Sequence, residues 1–347
     1  MSSLKYFRPL VQTGVIRPDA ALSLAGGACW FTQAEEITRD GGSRIIPARD
    51  IPQEQLDRLT VPRASIAGLD FSRPLIMGVL NVTPDSFSDG GDHSAPAQAL
   101  AHAKHMVGDG ADLIDVGGES TRPGALEVPT EAEIARTVPV IAAIRAGLDL
   151  PISIDTRKKL VAQEAKRAGA DIVNDVSGFT FDRDLAPYCA EQDLPVCVMH
   201  AQGDPETMQE NPRYDDALLD VYDFLAAQVI MLGDLGIPRK KIIVDPGIGF
   251  GKRIEHSLRL LNGISLFHGL GCPILLGASR KGFIRTIGVT QDGVEPGIKD
   301  RMPGSLAVAL TAVAQGVQIL RVHDVRETSQ GLALWSAVTK GTFEGQP

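Results

Sequence analysis

One unit recurs through the later four-fifths of this 347-residue chain: a helical stretch, a glycine, a short apolar run, then polar side chains. GADLIDVGGES (Gly110–Ser120), GADIVNDVSG (Gly169–Gly178) and GVQILRVHDV (Gly316–Val325) are examples. The glycine suits the left-handed position that ends a helix. The apolar run suits a strand buried on both faces, as in parallel sheets. The repeat therefore predicts βα units.

Eight strands follow from this rule: Leu75–Leu80, Asp112–Val116, Ile152–Ile154, Ile172–Val173, Val196–Met199, Ile242–Val244, Ile274–Gly277 and Gln318–Val322. Helical patterns lie between or after them, at Glu131–Arg145, Leu160–Ala168, Ala217–Leu235, Leu306–Ala314 and Thr328–Thr339. Eight units in ~270 residues is the size of a TIM (β/α)8 barrel. A doubly wound open sheet, the alternative, needs no eighth unit and usually opens on a glycine-rich turn. The barrel is expected over residues 71–343. Residues 1–70 form an N-terminal extension or small subdomain, with Trp30, two Gly-Gly pairs and a hint of short strands near Ile45–Pro47. The extension carries no motif, and its apolar content predicts packing on the barrel rather than disorder.

Composition narrows the function. A hydrophobic share of 44% and a net charge of −9 fit a globular protein that binds neither nucleic acid nor an anionic membrane. No apolar run approaches the ~20 residues of a membrane helix, and MSSLKYFRPL does not read as a signal peptide. Cys29, Cys189, Cys197 and Cys272 form no C-x-x-C pair, which predicts reduced thiols in the cytoplasm. An anionic ligand would need positive charge gathered locally, at the carboxyl ends of the strands where barrels do their chemistry.

The stretch Arg73–Gly91, RPLIMGVLNVTPDSFSDGG, shows the pattern: a buried strand delivers Asn81 into a small, polar loop. Round the same face come Glu119-Ser120-Thr121-Arg122, Asp155, Asn174, Met199-His200, Asp245, Ser279-Arg280-Lys281, and Arg321 with His323. Singly, each has a structural reading, such as a helix cap for Asp155 or a turn for Asn174-Asp175. Jointly they exceed what stability asks of a barrel. Asp155, Asn174, Asp245 and Lys281 match a flat heterocycle with an amino group, ring N–H groups and a carbonyl. Arg321, His323, Asn81 and Thr121 suit a phosphate, and Asn81 also suits a Mg²⁺ carried on a pyrophosphate. DPGIGFGK (Asp245–Lys252) lacks the Ser/Thr of a Walker loop, GASRK (Gly277–Lys281) is no nucleophile elbow, and no cluster has zinc spacing.

With NVTPDSFSDGG (Asn81–Gly91), DVGGESTRPG (Asp115–Gly124), SIDT (Ser153–Thr156), NDVSG (Asn174–Gly178), DPGIGFGK, SRKGF (Ser279–Phe283) and RVHDV (Arg321–Val325) in order, the chain resembles the dihydropteroate synthases, pterin-binding barrels of the folate pathway. The resemblance covers about Arg73–Val325. It implies that dihydropterin pyrophosphate and para-aminobenzoate condense to dihydropteroate, with Mg²⁺ present. It places the pterin on Asp155, Asn174, Met199, Asp245, Phe250 and Lys281. It places the pyrophosphate on Asn81, Thr121, Arg122, Arg321 and His323, and the aminobenzoate among Phe87, Thr121, Pro123, Ser279 and Lys281. Asp155, Lys281, Arg321 and His323 would carry the chemistry. A homodimer and sulfonamide sensitivity are further family expectations. A methyltetrahydrofolate methyltransferase would share the pterin pocket, but it has no need of Arg321, His323 and the Ser/Thr-rich first loop.

Overall fold

The computed structural model describes residues 4–82, 95–120, 122, 124–204 and 206–342. The chain opens with β1 (Lys5–Pro9), β2 (Leu22–Ser23), β3 (Trp30–Phe31), β4 (Gln33–Thr38), β5 (Ser43–Pro47) and α1 (Gln53–Thr60). Then β6 (Leu75–Asn81), α2 (Ala95–Gly108), β7 (Leu113–Gly117), α3 (Thr130–Gly147), β8 (Ile152–Asp155), α4 (Lys159–Ala168), β9 (Ile172–Asp175) and α5 (Leu185–Glu191) alternate. They are followed by β10 (Val196–Met199), α6 (Ala217–Asp234), β11 (Ile242–Asp245), α7 (Ile254–Asn262), β12 (Leu275–Leu276), α8 (Gly282–Ile287), α9 (Met302–Val313), β13 (Ile319–Val322) and α10 (Val325–Lys340).

The last eight strands pair in the order β11-β10-β9-β8-β7-β6-β13-β12, all parallel. A parallel bridge from Val244 to Ile274 joins the two ends and closes the barrel. The expected strands all form. The seventh is the shortest: of the four residues expected, Leu275 and Leu276 enter the ladder to β13 and Ile274 makes only the closing bridge. Gly110, Gly169 and Gly316 take positive φ at their helix ends, as the repeat predicts.

Both faces of the sheet are buried, and side chains alternate between them. Outward residues such as Ile76, Ile114, Ile154, Val173, Val198, Val244 and Leu320 pack against the helices. Inward, Leu75, Met77, Leu113, Ile172, Cys197, Ile243, Leu275 and Ile319 fill the lower barrel, which Ile66, Leu69 and Phe71 close from beneath. Above this apolar layer the inward positions turn polar, and there the site begins.

The first seventy residues build a three-stranded antiparallel sheet, β1-β4-β5, and the small β2-β3 pair. Alternation on β1 splits its side chains between two cores. Phe7 joins Phe31, Ala34, Ile46 and Leu59 within the extension, whereas Tyr6 and Ile37 join the helix layer of the barrel. The Tyr6 hydroxyl donates to Asp223 on α6 at 2.8 Å, and Arg39 donates to Asp220 at 2.7 Å and Asp223 at 2.5 Å. The Ser265 hydroxyl donates to the Pro9 carbonyl at 3.0 Å.

Candidate active site

Sheet register sets the floor of the site. Asn81 pairs with Gly117, Gly117 with Asp155, and Asp155 with Asn174, so these four positions form one row at the carboxyl ends of β6 to β9. Gly117 leaves an open step in that row: a Cβ there would lie 3.5 Å from Asp155 Cβ and 3.7 Å from Asn81 Oδ1. One pleat lower on β7, Asp115 also faces inward and is fully buried.

Arg321 on β13 reaches across the barrel from the other side. Its Nε donates to Asp115 Oδ2 at 2.6 Å and its Nη2 to Asp155 Oδ2 at 2.7 Å. Asn174 Nδ2 donates to the Asp115 carboxylate at 3.3 Å. One guanidinium thus holds two buried carboxylates, a triad that is costly to break by removing any single member. Burial works against the Arg321 charge, but Asp115 and Asp155 hold its pKa above the usual arginine value. Burial lifts the Asp155 carboxyl above its ordinary range, with Arg321 pulling it down and Asp115 pushing it up.

Asp245 and Lys281 complete the inner ring. Asp245 is 5% exposed and accepts from the Gly247 amide at 2.7 Å. Its pKa is raised by burial, against the pull of that amide and of Lys281. Burial lowers the Lys281 ammonium to about 7, with Asp245 opposing the shift. Its Nζ stands 3.8 Å from the centre of the Phe250 ring, a cation–π contact.

The loop after β11 is built to place Phe250. Gly247, Gly249 and Gly251 all have positive φ. A Cβ on Gly247 would come within 1.9 Å of the His200 carbonyl oxygen, so the loop lies against the end of β10. Lys252 pins it there: the buried Nζ lies 2.8 Å from His200 Nδ1 and donates to the carbonyls of Phe250 at 3.0 Å and His200 at 3.3 Å. Burial drives the pKa of both Lys252 and His200 well below the ordinary values. Met199, 3% exposed, packs beside Gly247.

The cationic side of the mouth is looser. His323 Nδ1 lies 3.1 Å from the Ser279 hydroxyl, which also accepts from the His323 amide at 3.3 Å. Burial lowers His323 to about 4, helped by the charges of Arg321, Arg280 and Arg122. The ring is therefore neutral at pH 7, with positive charge around it. Arg280, next to the site, is committed elsewhere: its Nε donates to Asp324 at 3.0 Å. Glu119 likewise faces away, accepting from Arg157 at 3.1 Å and Lys158 at 3.2 Å.

The structure thus brings together Asn81, Asp155, Asn174, Met199, Asp245, Phe250, Lys281 and Arg321, with Ser279, His323 and Arg122 at the rim. Phe87, Thr121 and Pro123 lie outside the described residues. Arg321, expected in the pyrophosphate set, bonds to Asp155 of the pterin set. Sequence reading missed Asp115. The signal was parity: on β7 it shares a face with Leu113 and Gly117. Among the described residues no three His, Cys, Asp or Glu side chains are arranged to hold a metal ion.

Comparison with known proteins agrees with this architecture. The family model described as "Pterin binding enzyme" matches residues 77–323. The dihydropteroate synthase of Escherichia coli (strain K12) is 45% identical over 269 residues, covering 78% of this chain and 93% of that protein. Among solved structures, the Yersinia pestis dihydropteroate synthase with a sulfonamide drug complex is 43% identical with a TM-score of 0.73, covering 80% of this chain and 98% of that one. The Xanthomonas albilineans dihydropteroate synthase in complex with 7,8-dihydropteroate is 38% identical with a TM-score of 0.71, at the same coverages. The chain belongs to the pterin-binding enzyme family and, within it, to the dihydropteroate synthases.

Proposed function

We propose that the barrel mouth joins 6-hydroxymethyl-7,8-dihydropterin pyrophosphate to para-aminobenzoate, giving 7,8-dihydropteroate and pyrophosphate. The observation that carries the residue assignment is the ring of inward polar groups, Asp115, Asp155, Asn174, Asp245, Lys281 and Arg321, directly above an apolar barrel floor. Three carboxylates and an amide suit the amino group and ring N–H groups of a pterin, and a site built on such contacts rejects analogues that lack them. Met199 and Phe250 form the apolar walls. Phe87, Thr121, Pro123 and Ser279 join Lys281 around the aminobenzoate, and the Lys281 ammonium meets its carboxylate.

Asn81, Thr121, Arg122, Arg321 and His323 receive the pyrophosphate. The positive charge of Arg122 and Arg321, with the hydrogen-bond donors beside them, stabilises it as a leaving group. As the C–O bond to the exocyclic methylene breaks, resonance spreads the cation into the pterin ring, and Asp155 stabilises it. The arylamine nitrogen then attacks the methylene carbon and loses its proton to solvent, so no strong base and no covalent enzyme intermediate are needed. The neutral His323 is placed to take up a proton as pyrophosphate charge arrives. The apolar walls of Met199 and Phe250 shield the cationic methylene from attack by water.

Asn81 offers one amide oxygen, and among the described residues no three His, Cys, Asp or Glu side chains join to hold a metal ion. That donor set suits a Mg²⁺ ion held mainly by substrate phosphates and water. When bound, the ion would neutralise pyrophosphate charge.

We further propose a division near residue 70 into extension and barrel, a homodimer, sulfonamide sensitivity of the aminobenzoate pocket, and a cytoplasmic location. All four cysteines are buried and free, and among the described residues no helix is long and apolar enough to cross a membrane.

The test is pyrophosphate release from the dihydropterin pyrophosphate with Mg²⁺, with and without para-aminobenzoate. Release that depends on aminobenzoate and yields dihydropteroate is expected. Pterin binding without turnover would leave only a binding protein, and absence of pterin binding would overturn the residue assignment.

A further inference from the structure

The seam between the extension and the barrel is not closed. Between β1 and α1 on one side and α6 on the other lies a cavity of about 230 Å³. An apolar cavity of about 150 Å³ suffices for benzene, so one substituted ring fits. The cavity lies at the far end of the barrel from the reaction. Arg239 precedes β11 and Gly269–Leu270 precede β12, at the amino ends of these strands. Asp245 and Lys281 lie beyond their carboxyl ends, and a four-residue strand spans about 13 Å.

Its walls are apolar and aromatic, and its polar groups are mostly donors. Tyr6 meets Tyr222 edge to face at 5.5 Å, with Ala226 and Val229 alongside. Asp223 is the one carboxylate lining the cavity among the described residues, and it is already taken by the Tyr6 hydroxyl at 2.8 Å and Arg39 at 2.5 Å. Lys5 is paired with Glu36 at 3.2 Å.

Two of the remaining donors lack acceptors. Among the described residues neither the Arg239 guanidinium nor the Tyr222 hydroxyl has a hydrogen-bond or ion-pair partner, and Arg58 has only Glu54, one turn away on α1 at 2.6 Å. Arg239 and Arg58 run side by side: a Cβ on Gly271 would lie 3.1 Å from Arg239 Cδ and 3.5 Å from Arg58 Cγ. An unpartnered guanidinium, a second arginine beside its stem and a free hydroxyl at the edge of an apolar cleft form a recognition surface for an anion attached to a ring.

We propose that this cavity is a second ligand site, separate from the active site, for a small aromatic carboxylate. Arg239 and Arg58 take the carboxylate, Tyr222 donates to it, and the ring lies against Tyr6, Ala226 and Val229. The site exists only where extension and barrel meet, so it gives residues 1–70 a role beyond packing. A neutral isostere would leave the Arg239 guanidinium unpaired and bind more weakly.

The test is a fluorine NMR titration of the full chain with 4-fluorobenzoate, after the active site has been filled with 7,8-dihydropteroate. One saturable site is expected to remain. Arg239→Gln should weaken it at least tenfold, Tyr222→Phe several-fold, and Arg239→Lys less than Arg239→Gln. 4-Fluorobenzamide should bind at least tenfold more weakly than 4-fluorobenzoate. All variants should keep the parent melting temperature within a few degrees and full turnover at saturating substrates. Loss of all binding once dihydropteroate is present would overturn the proposal. So would residual binding that ignores all three substitutions, or equal affinity for the amide.

Discussion

At the scale of single residues, the site depends on charges held away from their ordinary state. Lys281 is the clearest case, because burial brings its pKa to about 7, near working pH. The ammonium is the form that meets a carboxylate, and it predominates below that pH. The kcat/KM for aminobenzoate reports the free enzyme, so it should fall above about pH 7, approaching tenfold per pH unit. Lys281→Arg keeps the charge at every accessible pH. That variant is expected to be slower overall yet to lose the fall above pH 7; a fall that persists would remove Lys281 from this role. Stability runs the other way. The folded pKa of about 7 lies below the unfolded value of about 10.4, so the unfolded chain binds more protons between them. The ligand-free protein therefore gains stability from this group as pH rises across that window.

Residue parity also decides what sequence could reveal. Asn174 and Asp175 are adjacent, and the sequence reading put Asn174 in the pocket. Asn174 faces inward to Asp115. Asp175 faces outward and binds the turn above it, accepting from the Ser177 amide at 2.7 Å and the Phe179 amide at 2.8 Å. In an amphipathic strand the hydrophobic pattern would have settled the phase. Here both faces are apolar for most of their length, so the phase appears only once the register is known. Asp115 escaped notice for the same reason, while Asp155, Asp245 and Arg321, on the same inward face nearer the strand ends, were readable.

At the scale of elements, the glycine before strands such as β7, β9 and β13 and the uniform apolar runs made the barrel legible, because helix termination and double burial leave marks in sequence. Loop function left fewer. The motif DPGIGFGK was readable as a pattern, but not its mechanics: Lys252 tethers the loop, and Phe250 is thereby set under Lys281. The glycines in it are not equivalent. A Cβ on Gly247 meets the His200 backbone oxygen at 1.9 Å, whereas one on Gly249 meets only the flexible Lys281 side chain, at 3.3 Å. Both have positive φ, which costs any L-residue about 1 kcal/mol. Gly247→Ala must also displace backbone and should cost at least about 2 kcal/mol more than Gly249→Ala. It should also weaken pterin binding by moving Phe250. Chemical denaturation and calorimetry on the two variants check this, and equal destabilisation would mean that the loop does not bear on β10.

At the scale of the whole molecule, the first seventy residues were the least legible part, because short strands in an antiparallel sheet show too little periodicity to read. The structure divides their contribution in two. Residues 5–60 build the small sheet, α1 and their own core, and they dock on α6 through Tyr6 and Arg39. The connecting segment instead closes the barrel from below, with Ile66 at 2%, Leu69 at 5% and Phe71 at 3% exposure. The two parts should therefore fail differently when removed. A chain starting at residue 61 keeps the closure and loses the sheet. It should melt at lower temperature yet retain kcat per folded molecule, because the reacting groups lie at the opposite end of the strands. A chain starting at residue 73 also loses three buried side chains worth about 1.5–3 kcal/mol each. Their sum is a large part of the 5–15 kcal/mol that typically holds a domain together. That chain should be largely unfolded or aggregated at 37 °C. Melting curves with turnover normalised to folded protein distinguish the two, and equal stability of both truncations would show that Ile66, Leu69 and Phe71 do not close the barrel.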